Sequence, residues 1–151
     1  MGRPETATIR QAAAGDHRGL LSLLTEAGLP VEGVPESLEG FLVAETADGT
    51  IVGAAGIETH GHQGLLRSVV VSPALRGTGL GQALTEHALA RARNSGLIDL
   101  YLLTTTAERF FPRFGFEPIS RDRIRGAVLA SAEFQGACPS TAVIMHCTLA
   151  P

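Results

Sequence analysis

Between residues 66 and 84 the chain reads Leu66-Arg67-Ser68-Val69-Val70-Val71-Ser72-Pro73-Ala74-Leu75-Arg76-Gly77-Thr78-Gly79-Leu80-Gly81-Gln82-Ala83-Leu84, and this run limits the fold more than any other stretch. A β-branched strand stops at a proline, an arginine and three alternating glycines follow, and a helix-forming segment begins at once. Glycines at 77, 79 and 81 bring no Cβ and tolerate positive φ, so the main chain can curl and aim several amide N–H groups at one anion. The helix that follows, over residues 78–94, leaves its first N–H groups unpaired and carries partial positive charge at that end. Arg76 adds a full charge and a planar fork of donors where the loop opens. The segment implies a strand, loop and helix built to hold a diphosphate. The plainer alternative is a tight strand-to-helix connection with no ligand.

Spacing narrows the choice of phosphate ligand. Nucleotide hydrolases need a lysine followed by serine or threonine at the end of the glycine loop, where this chain has Gln82 and Ala83. The dinucleotide fingerprint needs Gly-x-Gly-x-x-Gly after the first strand, but here the loop sits mid-chain and position 82 is glutamine. Arg-x-x-Gly-x-Gly behind a valine-rich strand resembles the GNAT superfamily of N-acetyltransferases. A second signature, Ala107-Glu108-Arg109-Phe110-Phe111-Pro112-Arg113-Phe114-Gly115-Phe116, is similar to that family's short helix ending in Gly-Phe. The resemblance runs along nearly the whole chain. It implies that acetyl-coenzyme A is the co-substrate, its diphosphate held by Arg76, Gly77, Thr78, Gly79, Leu80 and Gly81. It further implies that two parallel strands splay to admit the pantetheine arm, with the main chain of Val69 facing the acetyl carbonyl and the main chain through Val70 and Val71 serving the pantetheine amides.

Length and composition agree with one domain over residues 1–151, since a chain of this size can bury a core without disulfide or metal staples. A formal charge of -3 and the lack of any Lys/Arg run argue against nucleic acid as a partner. No apolar stretch approaches a membrane span, and the first residues lack a signal peptide's apolar region, so a cytoplasmic protein without a membrane partner is expected. The two cysteines, Cys138 and Cys147, show no close metal-ligand spacing; idle thiols and no metal are expected, with a redox role the alternative. Monomer and homodimer both stay open.

Strands are read at residues 6–11, 41–44, 51–57, 65–71, 98–103 and 142–149, with a short one after Phe116. Helices are read at residues 16–27, 78–94 and 122–132. Asp48-Gly49 marks a hairpin, and residues 60–64 a second turn. The strand ending at Val71 and the one ending near Leu103 should be parallel, joined by a right-handed crossover. The fold class is α/β (α+β): a GNAT-like mixed, mostly antiparallel sheet of about six to seven strands, with a parallel splayed central pair and flanking helices.

Acetyl transfer to an amine requires that a proton be taken from the nucleophile and that the oxyanion be stabilised. Glu58, placed after an apolar strand, is the first candidate base; shielding from water would raise its pKa toward a useful value, and a solvated strand-end carboxylate is the alternative. His60 and His62 titrate in the right range and can serve directly or through water. Arg67 is costly to bury alone, so it either pairs with Glu58 or another acid, or grips an anionic group on the acceptor. In the resembling family a tyrosine often occupies the position of Phe111, and an asparagine that of Thr104. Phe111 has no proton to give, which leaves a general acid to Tyr101, Ser120, water or nothing. Residues 102–111 and 133–139 also resemble a bacterial subgroup associated with arsenic resistance, which implies detoxification of a small amino acid carrying arsenic or phosphorus. A small-molecule amine is thus the expected acceptor. The competing readings are a noncatalytic acyl-coenzyme A sensor and an acetyltransferase of protein N-termini or lysines.

Overall fold

The computed structural model describes residues 7–137, without the Ala137 side chain, and 141–149; Cys138 lies outside the described residues. In chain order the main elements are β1 (Thr8–Gln11), α1 (His17–Glu26), β2 (Phe41–Glu45), β3 (Ile51–His60), β4 (Gln63–Val71), α2 (Leu80–Asn94), β5 (Asp99–Thr104), β6 (Glu117–Pro118) and β7 (Val143–Thr148). The seven strands form one sheet in the order β1-β2-β3-β4-β5-β7-β6. β1 pairs antiparallel with β2, β2 with β3, β5 with β7 and β6 with β7, while β4 and β5 are the parallel pair. That parallel ladder holds only Gln63 to Asp99, Gly64 to Leu100 and Leu65 to Tyr101, and it ends there although β4 runs on to Val71 and β5 to Thr104. The fold is therefore the mixed, mostly antiparallel sheet with one parallel pair that the sequence implied.

Two elements differ from the sequence reading. β3 reaches His60 because β-branched Ile57 and Thr59 continue the strand up to a two-residue turn at Gly61-His62, where Gly61 takes φ 66°. Glu58 consequently lies inside a strand and not beyond its end. The helix expected at residues 122–132 is absent. Its place is taken by the short 3-10 turns Arg121–Arg123 and Ala127–Ala130, followed by one π turn over Glu133–Ala137. Gly126, at φ 104° between the two 3-10 turns, interrupts any helical run.

The chain divides into two compact units, Met1–Gly56 with Ser68–Ala88 and Ile57–Arg67 with Leu89–Pro151. The first has its core in Leu20, Leu24, Leu38, Phe41, Val43 and Val70. α1 contributes through Leu20, Leu23 and Leu24, spaced to share one face of a helix. The second gathers Leu65, Tyr101, Ile124, Val128 and Phe134. Buried apolar side chains of this kind contribute about 1.5–3 kcal/mol each, and here they anchor residues 119–137, a strap with little regular structure of its own. Gln63 completes the attachment: its amide nitrogen donates to the Arg125 carbonyl and its oxygen accepts from the Val128 N–H at 3.0 Å.

Candidate functional site

Within the first unit the glycine loop has the conformation its sequence demands. The Ser72 N–H donates to the Val52 carbonyl at 2.7 Å, a single 3-10 turn follows at Pro73–Leu75, and Gly77 and Gly79 take φ of 81° and 88°. Gly81 differs from the expectation; it is already part of α2 and needs no left-handed backbone. The Thr78 hydroxyl donates to the Leu75 carbonyl at 2.6 Å and ties the loop closed. The first amide here to reach a backbone carbonyl is Ala83, on Gly79 at 3.0 Å. Among the described residues, the amides from Gly77 to Gln82 have no backbone carbonyl partner. An added Cβ at Gly77 or Gly79 would meet nothing within 4 Å, so there is open space at both glycines, with exposed Arg76 next to them and its Nε 3.4 Å from the Val71 carbonyl. A run of unpaired donors at a helix N-terminus fits a diphosphate.

β4 carries a feature that sequence spacing did not reveal. Ser68 has φ 58°, a left-handed value uncommon for a residue other than glycine and a break in the two-residue alternation of the strand. Arg67, Val69 and Val71 therefore cannot be assigned one face by counting twos. Val70 is buried in the first unit's core, and Val69 and Val71 are half-buried.

A charged cluster occupies the second unit. The Arg67 side chain is 0% exposed; its Nη1 donates to Glu58 Oε2 at 2.6 Å, and its Nε lies 3.5 Å from Glu133 Oε2. His60 Nε2 meets the other Glu58 oxygen at 2.9 Å. Ser131 adds a side-chain hydrogen bond to Glu58 and accepts the Glu133 N–H at 3.3 Å. Of the two roles open to Arg67 in the sequence, ion pairing is the one observed, and it involves two carboxylates.

This environment corrects the expectation for Glu58. Burial by itself would raise its carboxyl pKa, but hydrogen bonds from Arg67, His60 and Ser131, together with the Arg67 charge, outweigh burial and hold it below its ordinary 4.5. An anchored carboxylate of this kind is a weak base and a good orienting group. The linkage has a definite sign: a depressed folded pKa contributes stability that is present above the unfolded value and lost as pH falls through the folded one. Urea denaturation is expected to show wild-type stability declining below about pH 4.5, and Glu58→Gln flattening part of that decline. Parallel curves for the two proteins from pH 6 to pH 3 would contradict the assignment.

The remaining candidates are placed as follows. His62 sits exposed in the turn after β3, and no hydrogen bond or ion pair given for the described residues joins it to the cluster. The Thr104 hydroxyl accepts the Ala107 N–H at 2.9 Å and shapes the turn after β5. Phe111 is buried among Phe110, Phe114 and Phe116, with ring centroids 5.1, 6.5 and 5.9 Å away, so packing accounts for it. Tyr101 belongs to the second core, and burial, reinforced by nearby Asp99, raises its phenol above the ordinary 10. The sequence reading missed Ser131 and Glu133. Their only signal was a polar pair in an otherwise apolar stretch from Val128 to Phe134.

Among the described residues no group of three or more His, Cys, Asp or Glu is arranged to hold a metal ion, and no helix is long and apolar enough to cross a membrane.

A seven-stranded mixed sheet whose parallel ladder holds three residue pairs, with a glycine loop opening a helix, is the architecture of the GNAT fold. The acetyltransferase (GNAT) domain family matches residues 37–118, more than half of the chain, and the protein belongs to that family. It is 35% identical over 136 residues to an amino-acid acetyltransferase of Pseudomonas syringae pv. tomato, covering 84% of this chain and 31% of that protein. The corresponding Pseudomonas aeruginosa PAO1 protein is 32% identical over the same length and coverage. The chain thus spans just under a third of the curated relatives it matches. Among solved structures, N-acetylglutamate synthase from Neisseria gonorrhoeae, complexed with coenzyme A and N-acetyl-glutamate, superposes with a TM-score of 0.79 at 26% identity. The match covers 99% of this chain and 37% of that one. A coenzyme A-bound Mycobacterium tuberculosis protein gives a TM-score of 0.77 at 24% identity over 95% of this chain and 99% of its own, a likeness of fold.

Proposed function

We propose that this chain transfers the acetyl group of acetyl-coenzyme A directly to the amine of a small amino acid. The observation that carries the reading is the uninterrupted set of unpaired amides from Gly77 to Gln82, behind two left-handed glycines and beside Arg76. The co-substrate supplies an already activated thioester. What remains for the protein is to bind it, to orient the amine, to remove a proton and to stabilise the oxyanion. The main chain at Val69, next to the Ser68 break in β4, is the proposed oxyanion donor, and the main chain at Val70 and Val71 the proposed partner of the pantetheine amides. By the family resemblance, Thr104 and Phe111 are also proposed to contact the coenzyme.

His60 is the proposed general base. Its Nε2 is engaged by Glu58, so Nε2–H donation there leaves Nδ1 with a lone pair to accept a proton from the ammonium, directly or through water. Glu58 acts by holding the ring, and Arg67 by holding Glu58. Leaving as a stable thiolate requires no dedicated acid, which accommodates phenylalanine at position 111. The amino-acid acceptor is supported by the similarity to amino-acid acetyltransferases, and an arsenic- or phosphorus-bearing amino acid is its narrower form, resting on the similarity of residues 102–111 and 133–139 to the arsenic-resistance subgroup.

The test is thiol release across a panel of amino acids, including glutamate and phosphorus-containing analogues. Turnover is expected with at least one of them. His60→Ala is expected to lower kcat on the order of 100-fold while coenzyme A affinity by calorimetry stays unchanged. Tight coenzyme binding with no release under any acceptor would replace this reading with the sensor.

A further inference from the structure

Glu133 is a buried carboxylate with no role in the reading given so far. Charge balance makes it conspicuous. Arg67 is already neutralised by Glu58 at 2.6 Å, yet a second carboxylate, only 4% exposed, is brought to 3.5 Å from its Nε. Placing an additional ionised group in such surroundings carries a desolvation penalty of several kcal/mol, so a purely structural clasp for Arg67 did not require it.

The strap's local geometry indicates what that group accomplishes. Ser131 and Glu133 lie two residues apart, both buried at its far end, and they attach to different members of the same ion pair: Ser131 to Glu58 and Glu133 to Arg67. The strap end is itself fixed. Phe134 and Val128 sit in the core with Leu65 and Tyr101, the Phe134 carbonyl accepts from Arg121 at 3.2 Å, and the Gln135 side chain donates to the Leu129 carbonyl at 2.8 Å. The Glu58 contact fixes the guanidinium at Nη1. Glu133 adds a contact at Nε, on another edge of the same group, and through Glu58 the constraint reaches the His60 ring at 2.9 Å.

We propose that Glu133 is a positioning residue for acetyl transfer, holding Arg67 from its Nε side so that Glu58 and His60 keep the orientation that proton removal requires. This deepens the proposed reading of the site and rests on it. It also makes the strap, and not the glycine loop, the element that prepares the acceptor amine.

Glu133→Ala leaves Arg67 paired with Glu58, so the variant should fold. Its kcat is expected to fall roughly tenfold from lost orientation, with the KM for acetyl-coenzyme A within about twofold of wild type, because the diphosphate loop is untouched. Glu133→Gln, which keeps a carbonyl oxygen facing Nε without the charge, is expected to recover much of the lost kcat. Ser131→Ala removes the other attachment without changing any charge and is expected to lower kcat in the same sense. Wild-type kcat in Glu133→Ala would overturn the proposal, as would equal loss in the Ala and Gln variants with a parallel rise in the coenzyme KM. If Glu133→Ala fails to give a cooperative melt, Ser131→Ala decides, and an unaltered kcat there overturns it. Failure of the enzyme reading is separable from failure of this one. The Arg67 Nε–H resonance in the wild-type protein should be protected from exchange and should lose protection in Glu133→Ala, whether or not any amine is acetylated.

Discussion

Gly79→Asp is expected to weaken coenzyme A binding on the order of 1,000-fold while leaving the sheet intact. The residue stands at φ 88° in open space, where an added side chain meets no neighbour. The steric consequence is limited to forcing a non-glycine residue into a left-handed backbone, which costs about 1–2 kcal/mol and less for Asp or Asn. The electrostatic consequence is larger. A carboxylate about 4 Å from a phosphate opposes it by about 1 kcal/mol in bulk water and about 4 kcal/mol near a protein surface, and the upper figure corresponds to roughly three powers of ten in affinity. Gly79→Asn separates the two effects, since it has the same shape and backbone demand without the charge. Isothermal titration calorimetry should find the asparagine variant within about tenfold of wild type and the aspartate variant far weaker. Equal affinity for wild type and Gly79→Asp would remove the diphosphate assignment. With it would go the reading of the unpaired amides from Gly77 to Gln82.

Arg67→Met is expected to destabilise the fold by about 3–5 kcal/mol at neutral pH, the usual range for breaking a buried pair by deleting one partner. The length and apolar character of the stem are kept, so the loss comes from leaving Glu58 and Glu133 desolvated without their cation. The pH dependence identifies the cause. With Arg67 present, Glu58 sits below 4.5 and stabilises at neutral pH; without it, burial raises the Glu58 carboxyl, and the cost is greatest when that group is ionised. Lowering the pH from 7 to 5 should therefore narrow the stability gap between variant and wild type in urea denaturation. Adding Glu58→Gln and Glu133→Gln to Arg67→Met should recover much of the deficit by removing the stranded charges. A loss under about 1 kcal/mol, or a gap that stays constant with pH, would mean that Arg67 is solvated in solution and that the cluster does not organise His60.

Turns, an amphipathic helix and the parallel strand pair are legible in the sequence because they depend on neighbours along the chain. The Asp48-Gly49 and Gly61-His62 turns set off β2, β3 and β4 because glycine supplies the backbone torsions a hairpin needs. α1 was legible from leucines spaced on one face, and the parallel relation of β4 and β5 from the helix between them. The reading failed where a local pattern met a distant partner. Residues 122–132 look helical in isolation, but Gly126 closes against the Gln63 carboxamide, so the chain there forms turns fastened to β4. Glu58 was expected to be a raised, solvent-shielded base because only its apolar neighbours are visible in sequence. Its actual partners arrive from β4 and from the strap.

What the sequence alone determined is the form of the glycine loop proposed to hold the diphosphate. Left-handed torsions at Gly77 and Gly79 and unpaired amides at the start of α2 are properties of adjacent residues, governed by backbone sterics and by the open first turn of a helix. What only the tertiary structure decided is the state of the ionisable cluster. Whether Glu58 is a base or a strut, and whether Arg67 is an anion receptor or a buried tie, depends on Ser131 and Glu133 meeting them across the fold. Interactions between charges are set by separation in space and by the water removed around them, and neither quantity is encoded by position along a chain.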